Sequence, residues 1–185
     1  MRKRVGTRYI PYISTPCNTT ARIAHPVWKA QVIQVNLTAS FILARSLAKH
    51  WLSSPTPPGP DKKKIINIAS VLTFTGSLNI CAYVATKGAI GQLTKALSNE
   101  WMGKGICVTA LAPGYIATEL TEGIRTDQER ETAIIGRVPA GRWGVPEDLA
   151  GAIVYLASRA RYAILSCHIL GKTCLCFWQS KALEC

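Results

Sequence analysis

Apolar positions recur at helical spacing from Val27 to Leu52, at Val32, Val35, Phe41, Ile42, Leu43 and Leu47. The pattern predicts one long helix that opens at His25-Pro26. Ser53-Ser-Pro-Thr-Pro-Pro-Gly-Pro60 then predicts a loop. From Lys62 to Ala69 the chain turns from charge to a short apolar run, the mark of a buried strand. A Gly/Ser/Thr-rich loop is expected from Val71 to Asn79. A second long helix is expected from Cys81 to Met102, with Ala82, Ala85, Ala89, Leu93, Ala96 and Leu97 along its apolar side, ended by Gly103-Lys-Gly105. Ile106 to Ala112 predicts a second buried strand, and Pro113-Gly114 opens a loop. The polar stretch from Gly123 to Gly136 predicts a helix. A last helix is expected from Pro146 to Ala157, with proline in its first turn and acids beside it.

Helices of this length alternating with short apolar strands define an α/β fold with a parallel sheet. Residues 1–24 carry no sustained period. Within them Arg8-Tyr-Ile-Pro-Tyr-Ile13 is a short strand candidate that Pro11 weakens. After Arg159 the texture turns Cys-rich. Three regions follow: a basic irregular segment (1–24), a partial α/β domain (25–158) and a divergent tail (159–185).

Composition narrows the function. The chain has 185 residues, 48% apolar and 17% charged, which excludes a disordered protein. The formal charge is +12, and residues 1–64 hold 11 Lys and Arg against the single acid Asp61. Those basic residues lie among Pro, Thr and Cys in no recognised module, so no nucleic-acid partner is expected. The longest uncharged run, 22 residues from Ile65 to Thr86, holds Asn67, Ser70, Thr73 and Asn79, too polar for a lipid-facing helix, so no membrane partner is expected. The basic opening Met1-Arg-Lys-Arg4 is followed by no apolar stretch and is not a secretory signal. Seven cysteines without such a signal predict reduced thiols and a cytoplasmic location. Cys167, His168, Cys174 and Cys176 match no standard zinc spacing, and no metal is expected.

The chemistry centres on Tyr83 and Lys87, four apart on one helix face. Ser70 closes the first strand 13 residues earlier. In open α/β sheets functional groups gather at the carboxyl ends of strands, which would set Ser70 against Tyr83. A phenol is a poor base at neutral pH, and a neighbouring ammonium favours its phenolate and lowers its pKa. Such a trio suits proton movement at a carbinol.

Asn67-Ile-Ala-Ser70, Tyr83-Val-Ala-Thr-Lys87-Gly-Ala and Pro113-Gly-Tyr-Ile-Ala-Thr118 stand in the order and spacing of the short-chain dehydrogenase/reductase family, which residues 27–158 resemble. Val35-Asn36-Leu37 and Arg142-Trp-Gly-Val-Pro-Glu-Asp-Leu149 also match. The resemblance implies a Rossmann-like, doubly wound parallel sheet and an NAD- or NADP-dependent oxidoreductase acting on a secondary alcohol or ketone. It implies Tyr83 as general acid/base, Lys87 as the residue that binds the nicotinamide ribose and lowers the Tyr83 pKa, and Ser70 as the group that orients substrate. Asn36 resembles the family's relay residue. Pro113, Gly114, Ile116 and Thr118 resemble its nicotinamide loop. The run Gln34-Val-Asn-Leu-Thr and the segment from Pro113 to Leu120 look like those of sugar-acid dehydrogenases. Homo-oligomers through helices 27–52 and 81–102 are implied as well.

Two departures set further expectations. No Gly-x-Gly-x-x-Gly turn occurs in the sequence, so only the catalytic half of the sheet is expected, as in an incomplete gene product or gene model. An inactive product that keeps only the dimerisation helices is the alternative. Two matching strands leave sheet edges open, to be paired at most by Tyr9–Ile13 or Tyr162–Leu170, and apolar surface is expected to be exposed there.

Overall fold

A computed structural model describes residues 26–53, 63–77, 80–158 and 168–170. Expectations for residues 1–24, for the proline-rich stretch after Ser53 and for the Cys-rich tail apart from residues 168–170 lie outside the described residues.

The first predicted helix forms as two, α1 (Pro26–Ile33) and α2 (Ala39–Ser53), joined without a break by a π-helical turn over Gln34–Thr38. The continuous helix expected there thus carries a widened turn at its middle. One extra residue in the turn turns Leu37 onto the core while Asn36 faces α3 (Cys81–Trp101). Strand β1 (Lys63–Ile68) runs parallel to β2 (Ile106–Ala112), in register from Lys63 opposite Ile106 to Ile68 opposite Leu111. Parallel neighbours need a crossover, and α3 supplies it. A third strand, β3 (His168–Leu170), pairs in parallel with the far side of β2, giving the order β1-β2-β3. Residues 168–170 therefore contribute a sheet strand, at the end of the stretch expected to pair there.

Side chains sort to two faces as the pleat requires. Ile65 and Val108 pack with Ala44, Ala48, Leu97 and Trp101 beneath α2 and α3. Ala69, Ala110 and Ala112 meet Ile90 of α3 on the same face. Ile66 and Leu111 meet Leu149, Ala152 and Leu156 of α6 (Glu147–Ala157) on the other. Helices on both faces make the sheet doubly wound, and its central strand β2 is buried at every position. Fully burying a Val, Leu or Ile side chain contributes roughly 1.5–3 kcal/mol, so this strand holds the layers together.

The face of α3 that packs shares Leu93 and Leu97 with the expected apolar side but not its exposed alanines. Ala85 and Ala96 are exposed, whereas Thr86, Ile90, Thr94, Leu97, Ser98 and Trp101 are buried. Threonines can take the inner face because their hydroxyls return to the helix: Thr86 Oγ1 donates to the Tyr83 carbonyl at 2.8 Å and Thr94 Oγ1 to that of Ile90 at 2.7 Å. The single helix expected over 123–136 is instead α4 (Glu122–Arg125) and α5 (Gln128–Ile135). Asp127 divides them, since its carboxylate accepts from the Arg130 amide and caps α5.

Exposed large apolar side chains include Val35 in the π turn, Ile153 and Val154 on α6, and those of β1 and α2. Ile68 is 51% exposed at the end of edge strand β1. Phe41, Ile42, Leu43 and Leu47 of α2 are exposed apolar side chains, with Leu43 64% exposed.

Candidate active site

The site is built where β1 and β2 end. The Ala69 amide donates to the Leu111 carbonyl at 2.7 Å and the Val71 amide to the Pro113 carbonyl at 2.8 Å. This register sets Ser70 beside the first residue of the 113–118 loop. Ser70 is buried and extended, and its Oγ accepts from the Leu72 amide at 3.2 Å, capping a short 3-10 turn (Val71–Thr73). Thr73 ties that turn to α3, its Oγ1 donating to the Lys87 carbonyl at 2.8 Å.

Tyr83 and Lys87 lie on the α3 face that meets this turn. The Ser70 side chain lies near enough to the Tyr83 phenol to favour its ionised form. Lys87 Nζ lies 5.5 Å from the centre of the Tyr83 ring and donates to the Ile68 carbonyl at 2.7 Å. Ser70, Tyr83 and Lys87 therefore lie together at the carboxyl rim of the sheet.

The electrostatics differ from the expectation in one respect. Burial pushes the Tyr83 phenol above its ordinary value, and the Ser70 side chain opposes this as the smaller effect. Lys87 was expected to lower the phenol, but burial pushes the ammonium itself below its ordinary value. The net direction for Tyr83 is upward because desolvation disfavours the phenolate.

Asn36 reaches the same helix. Its Nδ2 donates to Thr86 Oγ1 at 3.3 Å, and its carbonyl accepts from Ser40 Oγ at 3.0 Å. It sits within the π turn, a feature frequent at functional sites. Thr86 and Thr73 were not singled out in the sequence. Their signal was a hydroxyl on the Tyr83–Lys87 face of α3 and another three residues past Ser70.

Pro113 and Gly114 begin the loop next to Ser70. Ile116 and Thr118 lie further along it. Ile116 forms an isolated parallel bridge with Gly144, and the Thr118 carbonyl accepts from Thr121 Oγ1 at 3.0 Å. Among the described residues no three His, Cys, Asp or Glu side chains gather as metal ligands, and no described helix is long and apolar enough to cross a membrane.

The structure is thus a doubly wound α/β unit with a Ser, a Tyr and a Lys at its carboxyl rim. The family model described as enoyl-(acyl carrier protein) reductase matches residues 19–169. The chain belongs to the short-chain dehydrogenase/reductase family. It is 52% identical over 130 residues to a 2-dehydro-3-deoxy-D-gluconate 5-dehydrogenase of Pseudoalteromonas atlantica, covering 70% of this chain and 49% of that one. A gluconate 5-dehydrogenase of Burkholderia cenocepacia, solved with NADP and tartrate, superposes with a TM-score of 0.72 at 35% identity, covering 80% of this chain and 56% of that one. A 4-hydroxyisoleucine dehydrogenase solved with NADH gives a TM-score of 0.67 at 35% identity, covering 79% and 58%. The chain spans about half the length of the curated relatives it matches.

Proposed function

We propose that this chain carries the proton-transfer half of an NAD- or NADP-dependent oxidoreductase acting on a secondary alcohol or ketone of the sugar-acid class. The observation that carries the reading is the Ser70–Tyr83–Lys87 cluster at the carboxyl rim of the sheet. Names of relatives support the substrate class, and the NADP and NADH complexes among them support the cofactor.

The residues present fit a nicotinamide ribose. The Lys87 ammonium has three N–H donors. The described residues show it one acceptor, the Ile68 carbonyl, which leaves donors for ribose hydroxyls. Lys87 would hold the ribose, and Pro113, Gly114, Ile116 and Thr118 would cover the nicotinamide end. The bound cofactor would supply the hydride acceptor or donor.

The chain's own part is the proton. In oxidation the Tyr83 phenolate takes the proton of the substrate hydroxyl while Ser70 Oγ holds that oxygen in place. In reduction the phenol returns it to the forming alkoxide. The raised Tyr83 pKa keeps the phenol protonated at neutral pH, which suits it as the acid for reduction. For oxidation the phenolate has to be favoured, and the Lys87 ammonium is the cation placed to favour it. Asn36, through Thr86, braces the helix turn that presents Tyr83.

The exposed apolar side chains of α2 favour a second element of the reading: two copies of the chain pair through α2 and α3. They also favour the alternative, an inactive partner that keeps only this pairing.

Tyr83→Phe tests the assignment. Turnover with gluconate-class acids should fall by about 10²–10⁴-fold, the usual contribution of a positioned acid/base, while NAD(P)H affinity stays nearly unchanged. Retained turnover in this variant would overturn the role of Tyr83.

A further inference from the structure

The segment 142–148 touches the 113–118 loop at Gly144, whose missing side chain lets Ile116 come close. The Ala117 amide donates to the Gly144 carbonyl at 2.8 Å, and the Gly144 amide donates to the Tyr115 carbonyl at 2.9 Å. These two bonds clip the loop and the segment together on either side of Ile116. A Cβ on Gly144 would stand 2.6 Å from Ile116 Cδ1, so the end of the Ile116 side chain would have to move aside, and it would stand in ordinary contact, 3.5 Å, with the Tyr115 carbonyl oxygen.

Rigid neighbours hold Gly144 itself. Trp143 stacks edge-on against Tyr115 at 5.8 Å between ring centres, and its Nε1 donates to Glu131 Oε1 of α5 at 3.1 Å. On the other side Arg142 makes two bonds to the Asp148 carboxylate, at 2.8 and 3.2 Å. Asp148 also accepts from the Val145 amide at 2.9 Å, and Arg142 holds its carboxyl down at about 2. Both side chains of this ion pair are substantially exposed, so its strength lies in two-point geometry rather than in Coulomb energy. Segment 142–148 is thus fastened at both ends to α5 and α6, and the loop is fastened to the segment.

We infer that Gly144 is a positioning residue: by admitting Ile116 into contact with its own backbone, it fixes the 113–118 loop in the shape that receives the nicotinamide end of the cofactor. The inference rests on the proposed role of that loop. Pre-ordering matters because a loop that must be ordered on binding subtracts its conformational entropy from affinity. Gly144 touches no reacting atom and acts through Ile116 and Ala117.

Amide hydrogen exchange in the cofactor-free chain provides the test. In Gly144→Ala the Ala117 amide should exchange on the order of tenfold faster, while the Val108 amide in the buried strand β2 keeps its wild-type rate; local opening free energies differ in this way across one fold. Ile116→Val removes the atom that meets the new Cβ, so the double variant Gly144→Ala/Ile116→Val should return Ala117 close to its wild-type rate. NADPH affinity should fall in Gly144→Ala by about the same tenfold, since each 1.4 kcal/mol is tenfold in Kd. An unchanged Ala117 rate overturns the inference, as does equal acceleration at Val108 or failure of the double variant to restore Ala117. If wild-type chain binds neither NADH nor NADPH, the functional reading falls, and the exchange rates still decide the clip.

Discussion

At Tyr83 two opposing influences meet, and burial outweighs that of the Ser70 side chain. The folded chain therefore holds the phenol proton more tightly than the unfolded chain. The stability this confers is fully present below the ordinary phenol pKa and drains away as pH climbs past about 10 toward the raised value. Lys87 acts in the opposite sense: its lowered pKa means that the cost of burying the ammonium is present at neutral pH and is relieved as pH rises toward about 10.5. Comparing urea midpoints of wild type and Tyr83→Phe between neutral pH and strongly alkaline pH should show a steeper alkaline loss in wild type. Parallel curves would contradict the burial of this phenol. In turnover the alcohol-oxidation rate should rise with pH, and Lys87→Met should move that rise to higher pH. A pH profile that Lys87→Met leaves in place would remove the ammonium from the proton chemistry.

At the scale of elements, α3 carries both the site and the core. Ile90 is 1% exposed against Ala69, Ala110 and Ala112, so Ile90→Ala should cost about 2–5 kcal/mol. Thr94 accepts from Asn67 Nδ2 at 2.8 Å, buried beneath the same helix. Thr94→Val would strand that amide and should cost about 1–3 kcal/mol. Chemical denaturation measures both, and a Thr94→Val chain as stable as wild type would show that Asn67 finds another partner. The strands and the long helices were legible because their apolar runs and boundaries are local: Lys63–Ile68, Ile106–Ala112 and Cys81–Trp101 fall within a residue or so of expectation. Of the packed face of α3 only Leu93 and Leu97 were legible. Its threonines read as polar until their hydroxyls are seen bonded to the helix backbone. The break at Asp127 and the π turn at Asn36 were hidden for a related reason, since each depends on which neighbour a single side chain or carbonyl meets. Ser70, Tyr83 and Lys87 were legible from spacing and resemblance together. The Gly144–Ile116 contact joins residues far apart in sequence, and no local pattern announces it.

On the scale of the whole molecule, the described sheet has three parallel strands and an outer edge at β1. Phe41, Ile42, Leu43 and Leu47 leave α2 with several exposed apolar side chains, which favours a partner helix over solvent. Leu43→Asp places a charge among them without touching the buried Ala44 or Ala48. Light scattering should show the wild-type chain as a dimer or larger and the variant as a smaller species of unchanged helix content. A wild-type chain that runs as a monomer would contradict pairing through α2 and α3. Under the proposed function, cofactor affinity in this chain comes through Lys87 and the 113–118 loop at the nicotinamide end.

Fluorescence titration of the wild-type chain and of Lys87→Met with NADH and NADPH tests this binding most directly. The account predicts saturable binding by the wild-type chain, weakened in the variant. No binding by the wild-type chain up to millimolar cofactor would contradict it, as would binding that Lys87→Met leaves unchanged.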